Sequence, residues 1–275
     1  MTAPTAFHEY HGRNIGLFEN NTVAYRKLGY ADGIVFSRDP LLPGEIFLLE
    51  ISHFEHGWMG NLKIGLTQED PCSKFALPQF ALPGLVNGGK SWIVPVSAAE
   101  VSIYEHASID QLAPAIYEGN NQIHTTRGSI PLNHLLPACH RQINEQSGTA
   151  VDYHRPSCSH GPLSIHNLQP FVYPADVGSR IGVTYVTRDR RAEMYVIVNG
   201  EVYGPCTSDI PYKNGPIYAV ADLYGTTKQV QIVQTYTVPS LKIACRNKIL
   251  QQVSHFQVFR LPLPKLLIDF LYDNS

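Results

Sequence analysis

Apolar positions recur with a period of two through much of the chain. Leu62, Ile64 and Leu66 alternate with Asn61, Lys63 and Gly65, the pattern of a strand with one buried face. Ile181, Val183 and Tyr185 repeat it. The short run Gly33–Phe36 is closed by Asp39-Pro40 and Pro43-Gly44, which are turn formers. Further β-rich runs lie at Ile46–Ile51, Ser91–Val96, Ile217–Val220 and Val230–Val233. Met194–Val198 and Glu201-Val202-Tyr203 flank Asn199-Gly200. That dipeptide predicts a hairpin, because a type I′ turn needs positive φ at both central positions. The strands are not interleaved with long helices, so the expected fold is mainly β, an antiparallel sandwich.

Two stretches break the pattern. Between about residues 98 and 178, short apolar clusters sit among Asn, Gly, Ser, Pro and His. This reads as a long, partly ordered insertion, with a short helix over Ile109–Tyr117 interrupted by Pro114. The second break comes at about Tyr236–Pro239, taken as a domain boundary that separates residues 7–236 from residues 238–275. Val238–Ser275 contains no Gly and has helical spacing. Ser240, just after Pro239, suits a helix N-cap. Leu241, Cys245 and Ile249 follow at intervals of four and share one helix face. Pro262 and Pro264 hold Leu261–Leu263 extended, and Pro264 suits the first helical position. Leu267, Phe270 and Leu271 then form one stripe. So small and apolar a piece must pack on the sandwich, on a partner, or on both.

Composition narrows the function. The chain has 275 residues, which allows one or two domains. Its 21 Lys and Arg against 23 Asp and Glu give a net charge of −2. That excludes a generic electrostatic grip on nucleic acid or on an anionic membrane. Charged residues are 16% of the chain, below the ~25% usual for soluble proteins, which suggests apolar surface kept for partners. The five cysteines are odd in number and scattered, so a reducing compartment is expected rather than a disulfide framework. The N-terminus MTAPTAFHEYHGRN lacks a basic region followed by an apolar run. The most apolar runs fall far short of the ~20 residues that span a bilayer. Cytoplasmic residence is the expectation.

Candidate chemistry is thin. Cys139-His140, His154, Cys158, His160 and His166 gather in the insertion, and Cys and His are zinc ligands. Their spacing fits no standard pattern, and a His-rich solvated loop is the preferred reading. His8, His11, His53 and His56 lie near strands and could surround a pocket. No GxSxG, HExxH, GxGxxG or Walker A motif is present, nor a RING-type Cys/His array. No catalytic residue, metal or cofactor is therefore expected. Trp58 reads as a core residue or, at a strand end, as part of the binding loops. Arg38 and Asp39 read as solvated loop residues. Arg188-Asp189-Arg190-Arg191 reads as a solvated hairpin end.

The residues also carry a resemblance. Ser240-Leu241 with Cys245 and Ile249 matches the elongin C-binding motif of the SOCS box. Leu261-Pro262-Leu263-Pro264 with Phe270-Leu271 resembles that family's cullin-5-type motif. The first ~235 residues resemble the neuralized homology repeat. The matching stretches include Gly33-Ile34-Val35-Phe36-Ser37-Arg38-Asp39-Pro40, Pro43-Gly44-Glu45-Ile46-Phe47, Gly57-Trp58-Met59-Gly60-Asn61-Leu62, Val198-Asn199-Gly200-Glu201 and Tyr224-Gly225. The resemblance implies a sandwich related to SPRY domains that binds protein ligands through loops at one end. It also implies a C-terminal α-helical box that joins a cullin-RING ubiquitin ligase. Leu241, Cys245 and Ile249 would meet elongin C of elongin B/C. Leu261, Pro262, Leu263, Pro264, Phe270 and Leu271 would meet cullin-5, which carries a RING-box protein. A muscle-associated member of the family points to β-catenin and embryonic myosin heavy chain as substrates. On spacing alone, the C-terminal helices read first as structural cover, and the alternative function is a non-catalytic protein-binding scaffold or trafficking module.

Overall fold

The computed structural model describes residues 5–97, 104–113, 115–119, 121–137 and 172–233, with Cys245, Ile249, Val258 and residues 260–272. Two antiparallel sheets form its centre. The larger has eight strands in the order β1 (Ile15–Phe18), β2 (Val23–Arg26), β15 (Thr227–Ile232), β4 (Phe47–Phe54), β11 (Arg180–Arg188), β12 (Arg191–Val198), β13 (Glu201–Ile210) and β7 (His106–Ala107). The smaller has β3 (Ile34–Phe36), β14 (Tyr218–Asp222), β5 (Lys63–Thr67) and β6 (Ser91–Pro95). The Asn199-Gly200 turn joins β12 to β13 as predicted, with φ of 52° and 94° and Val198 paired to Glu201.

Period two decides which side chains meet. Phe47, Leu49 and Ile51 of β4 point to the smaller sheet, as do Ile181, Val183 and Tyr185 of β11 and Met194, Val196 and Val198 of β12. They pack with Leu62, Ile64, Leu66, Val94, Ala219 and Ala221 in one core. The alternate residues are covered as well. Leu48, Val186, Tyr195 and Ile197 pack under Leu112, Ile116, Ile123, Ile130 and Leu135. Ile34, Phe36, Ile93 and Val220 pack under Ala81, Leu85 and Phe75. The sandwich is thus four layers deep, two sheets and a cover on each outer face.

Those covers change two expectations. The face of β5 read as wet is buried, and Lys63 and Thr67 lie within it. Thr67 and Ser91 meet through their hydroxyls at 2.8 Å, and Lys63 is held by Asp222 at 3.9 Å. The described part of the stretch read as an insertion is a folded layer. It includes β8 (Tyr117–Gly119), β9 (Gln122–His124) and β10 (Ser129–Pro131), a three-stranded sheet of its own. The helix expected over Ile109–Tyr117 is one 3₁₀ turn, Ile109–Leu112, after which the chain turns into β8.

Candidate functional site

Four segments converge at one end of the sandwich. The β2–β3 turn carries Leu28 and Tyr30. The β4–β5 loop carries Trp58 and Met59. Phe80 precedes the helical turn at Ala81, and Tyr224 lies in the β14–β15 turn. The Tyr30 ring is central. Its centroid lies 5.1 Å from Trp58, 6.2 Å from Phe80 and 6.2 Å from Tyr224. Backbone hydrogen bonds fix the loops that bear these rings. Gly225 N–H donates to Tyr30 O at 3.1 Å, Thr226 N–H to Gly60 O at 2.9 Å, and Asp32 N–H to Gln79 O at 3.0 Å. Gly225 has φ of +59°, and a Cβ there would lie 2.3 Å from the carbonyl oxygens of Met59 and Gly60. Glycine is what lets the two loops touch.

Beneath the rings lies a charged layer. Lys63 Nζ stands 3.8 Å from the Tyr224 ring centroid. Arg26, fully buried, donates through Nη2 to the carbonyls of Gly225 and Thr227. Glu55 accepts from Lys228 Nζ at 2.8 Å and lies 3.6 Å from Arg26. The Lys228 hydrogen bond, aided by the nearby Arg26 charge, holds the Glu55 carboxyl below its ordinary range. Asp222 accepts from Ala81 N–H at 2.9 Å. Burial raises its carboxyl above the usual value, against that hydrogen bond and the pull of Lys63 and Arg26.

Above this floor the apolar side chains face water: Met59 is 90% exposed, Leu28 71% and Trp58 40%. A fixed apolar patch at a loop end is suited to holding a ligand. Trp58 is not a core residue as the first of its two readings had it: it stands partly exposed in the β4–β5 loop, at a strand end. Sequence reasoning missed Tyr30, Met59, Phe80 and Tyr224. The signal that was there is Gly57-Trp58-Met59-Gly60, bulky apolar residues between glycines in a loop.

The other candidates separate. His8 meets Cys72 at 3.5 Å, whereas His56 packs on the Phe54 ring at 5.1 Å. His11 contacts the Gly12 carbonyl at 2.9 Å, and His53 is exposed. Among the described residues no three His, Cys, Asp or Glu side chains are grouped to hold a metal. Cys139, His140, His154, Cys158, His160 and His166 lie outside the described residues. Cys72, Cys206 and Cys245 are free thiols, and burial pushes the Cys206 thiol up to about 12. Arg38 and Asp39 form an exposed pair at 3.3 Å. Arg188 is more than a solvated hairpin end: it donates to the carbonyls of Ala113 and Gln111 and so clamps the cover layer. No helix among the described residues is long and apolar enough to cross a membrane.

At the C-terminal end, Cys245 is helical and exposed, and Ile249 is helical and half-buried. Leu241 lies outside the described residues. Leu261 and Leu263 are half-buried, and Pro262 and Pro264 are exposed. The Pro264 carbonyl accepts from Leu267 and Ile268 N–H at 2.9 and 3.1 Å, opening helix α1 (Lys265–Tyr272) as its position predicts. Phe270 lies in α1. Leu271, also in α1, is buried, as is Val258.

Residues 7–234 match the Neuralized family, and residues 237–272 match the SOCS box. The chain belongs to the neuralized family. It is 37% identical to neuralized-like protein 2 of Mus musculus over 272 residues, which is 97% of this chain and 91% of that one. The Homo sapiens protein of the same name is 36% identical over 273 residues, with the same coverage. The neuralized domain also matches the crystal structure of the Drosophila melanogaster neuralized-nhr1 domain. That likeness has a TM-score of 0.52 at 16% identity and covers 85% of this chain and all of that one. It confirms the antiparallel β architecture. A neuralized domain followed by a SOCS box marks a substrate adaptor of a ubiquitin ligase.

Proposed function

We propose that this neuralized-family chain is the non-catalytic substrate-recognition subunit of a cytoplasmic ligase built on elongin B/C, cullin-5 and a RING-box protein. The observation that carries this reading is the SOCS box at residues 237–272 behind the neuralized domain. Leu241, Cys245 and Ile249 dock on elongin C. Leu261, Pro262, Leu263, Pro264 and Phe270 build the face toward cullin-5, and Leu271, buried in α1, supports that face from within the box. The loop end around Tyr30 and Trp58 captures the protein substrate, and β-catenin and embryonic myosin heavy chain are the first to try. The chain transfers no ubiquitin itself. It holds the substrate beside a charged conjugating enzyme and so raises the effective concentration of its lysines.

The exposure of Cys245, Pro262 and Pro264 supports docking through these positions. Co-expression with elongin B and C, followed by size-exclusion chromatography and cullin-5 capture, tests it. A stable ternary complex that recruits cullin-5 is expected. Leu241→Asp is expected to abolish elongin binding with the sandwich still folded. Persistence of the complex in that variant would sink the box assignment.

A further inference from the structure

The loop end carries a charge asymmetry. Arg13, Arg26, Lys63 and Lys228 are tied there to Asp32, Glu55 and Asp222, and Lys27 directly precedes Leu28. Five cations thus stand against three anions, on a chain whose net charge is −2. Three of the cations, Arg26, Lys63 and Lys228, are buried in the layer beneath the rings, paired with Glu55 and Asp222. Asp222 is fully buried and Asp32 is turned against Arg13. Glu55 is held by Lys228 and Arg26. The Arg13 side chain, by contrast, is 77% exposed, and Lys27 is exposed. The rim beside the apolar patch therefore carries the exposed cations Arg13 and Lys27, while the anions are buried or held in ion pairs. The rings are fixed before any ligand arrives, so little side-chain freedom is lost on binding.

We infer that this surface takes a peptide segment in which a bulky apolar residue is flanked by acidic residues. The inference rests on the substrate-capture reading of the same loop end. The apolar residue packs among Leu28, Tyr30, Trp58 and Met59. The flanking carboxylates meet the rim of Arg13 and Lys27, which also disfavours basic segments.

The test is selection from a random peptide display library by the full chain. The selected peptides are then synthesised with acidic, neutral and lysine flanks and titrated by fluorescence anisotropy. The expected peptides share an apolar residue with Asp or Glu beside it. Trp58→Ser weakens them by about tenfold or more. Lys27→Ser, and raising the salt from about 0.05 to about 0.5 M, each weaken them by about threefold. Unchanged unfolding midpoints show that both variants fold. Peptides without acidic bias that are still lost in Trp58→Ser overturn the acidic preference and leave the capture surface standing. Peptides that bind Trp58→Ser and Met59→Ser undiminished overturn both. Failure of the folded chain to enrich any peptide overturns the inference as well.

Discussion

The Lys63 ammonium lies 3.8 Å from the centroid of the Tyr224 ring, with the Asp222 carboxylate 3.9 Å away on β14. A cation over an aromatic face, out of water, is a stronger contact than the same pair at a surface. Lys63 also reaches the Leu82 carbonyl at 3.5 Å. It therefore joins β5, the β14–β15 turn and the segment that follows Phe80. Lys63→Met removes all three links and leaves Asp222 without its ammonium partner. The expected loss is about 2–4 kcal/mol of unfolding free energy by urea titration, with a change in Trp58 emission that marks a loosened loop end.

Asp222 carries a pH signature. Its carboxyl is raised by burial, so the folded chain binds that proton more tightly than the unfolded chain does. Stability from this group is present below its unfolded value, at about pH 4, and is lost as pH rises through the higher folded value. Asp222→Asn keeps an acceptor for Ala81 N–H and removes the charge. The melting-temperature difference, variant minus parent, is expected to grow from about pH 4 to about pH 7. A difference that stays flat would mean that Lys63 and Arg26 fully compensate the carboxylate.

The cover layer is expected to stabilise the sandwich beneath it. Ile130 of β10 is fully buried against the outer face of the eight-stranded sheet. Ile130→Ala is expected to cost about 2–5 kcal/mol, measured by denaturant unfolding with a single transition. A surface segment with no structural role would show a change near zero.

Buried and exposed positions of the C-terminal box are expected to differ in kind. Leu271→Ala removes a buried side chain from α1 and is expected to weaken elongin and cullin capture together, by unfolding the box. Pro262 is exposed, and Pro262→Ala is expected to weaken cullin capture alone. Pull-down from one co-expression reads both.

Much of this fold is written locally. Asn199-Gly200, the β4, β11 and β12 runs and the Pro264 helix start all depend on neighbours a few residues away, and each stands where the pattern puts it. The departures come from long-range packing. Lys63 and Thr67 looked solvent-facing because alternation alone cannot reveal a second layer over a sheet. Residues 117–131 looked like loop because three-residue strands are too short to show a period. The ring cluster joins Tyr30 to Tyr224 across the chain, and no local window contains both. Trp58 was visible as a candidate, but its exposure became evident only when the four loops were brought together.

β15 lies between β2 and β4 in the eight-stranded sheet, although it is the last strand of the neuralized domain to be synthesised. Until residues 227–232 have left the ribosome, the β1–β2 ribbon has no neighbour to pair with, and the turn that bears Tyr224 has no anchor on its far side. The sheet therefore closes late, by contacts of long sequence separation, which fold slowly. A chain halted early has neither a finished loop end nor a box. Any chain that carries the box has already carried the strand that closes the sheet.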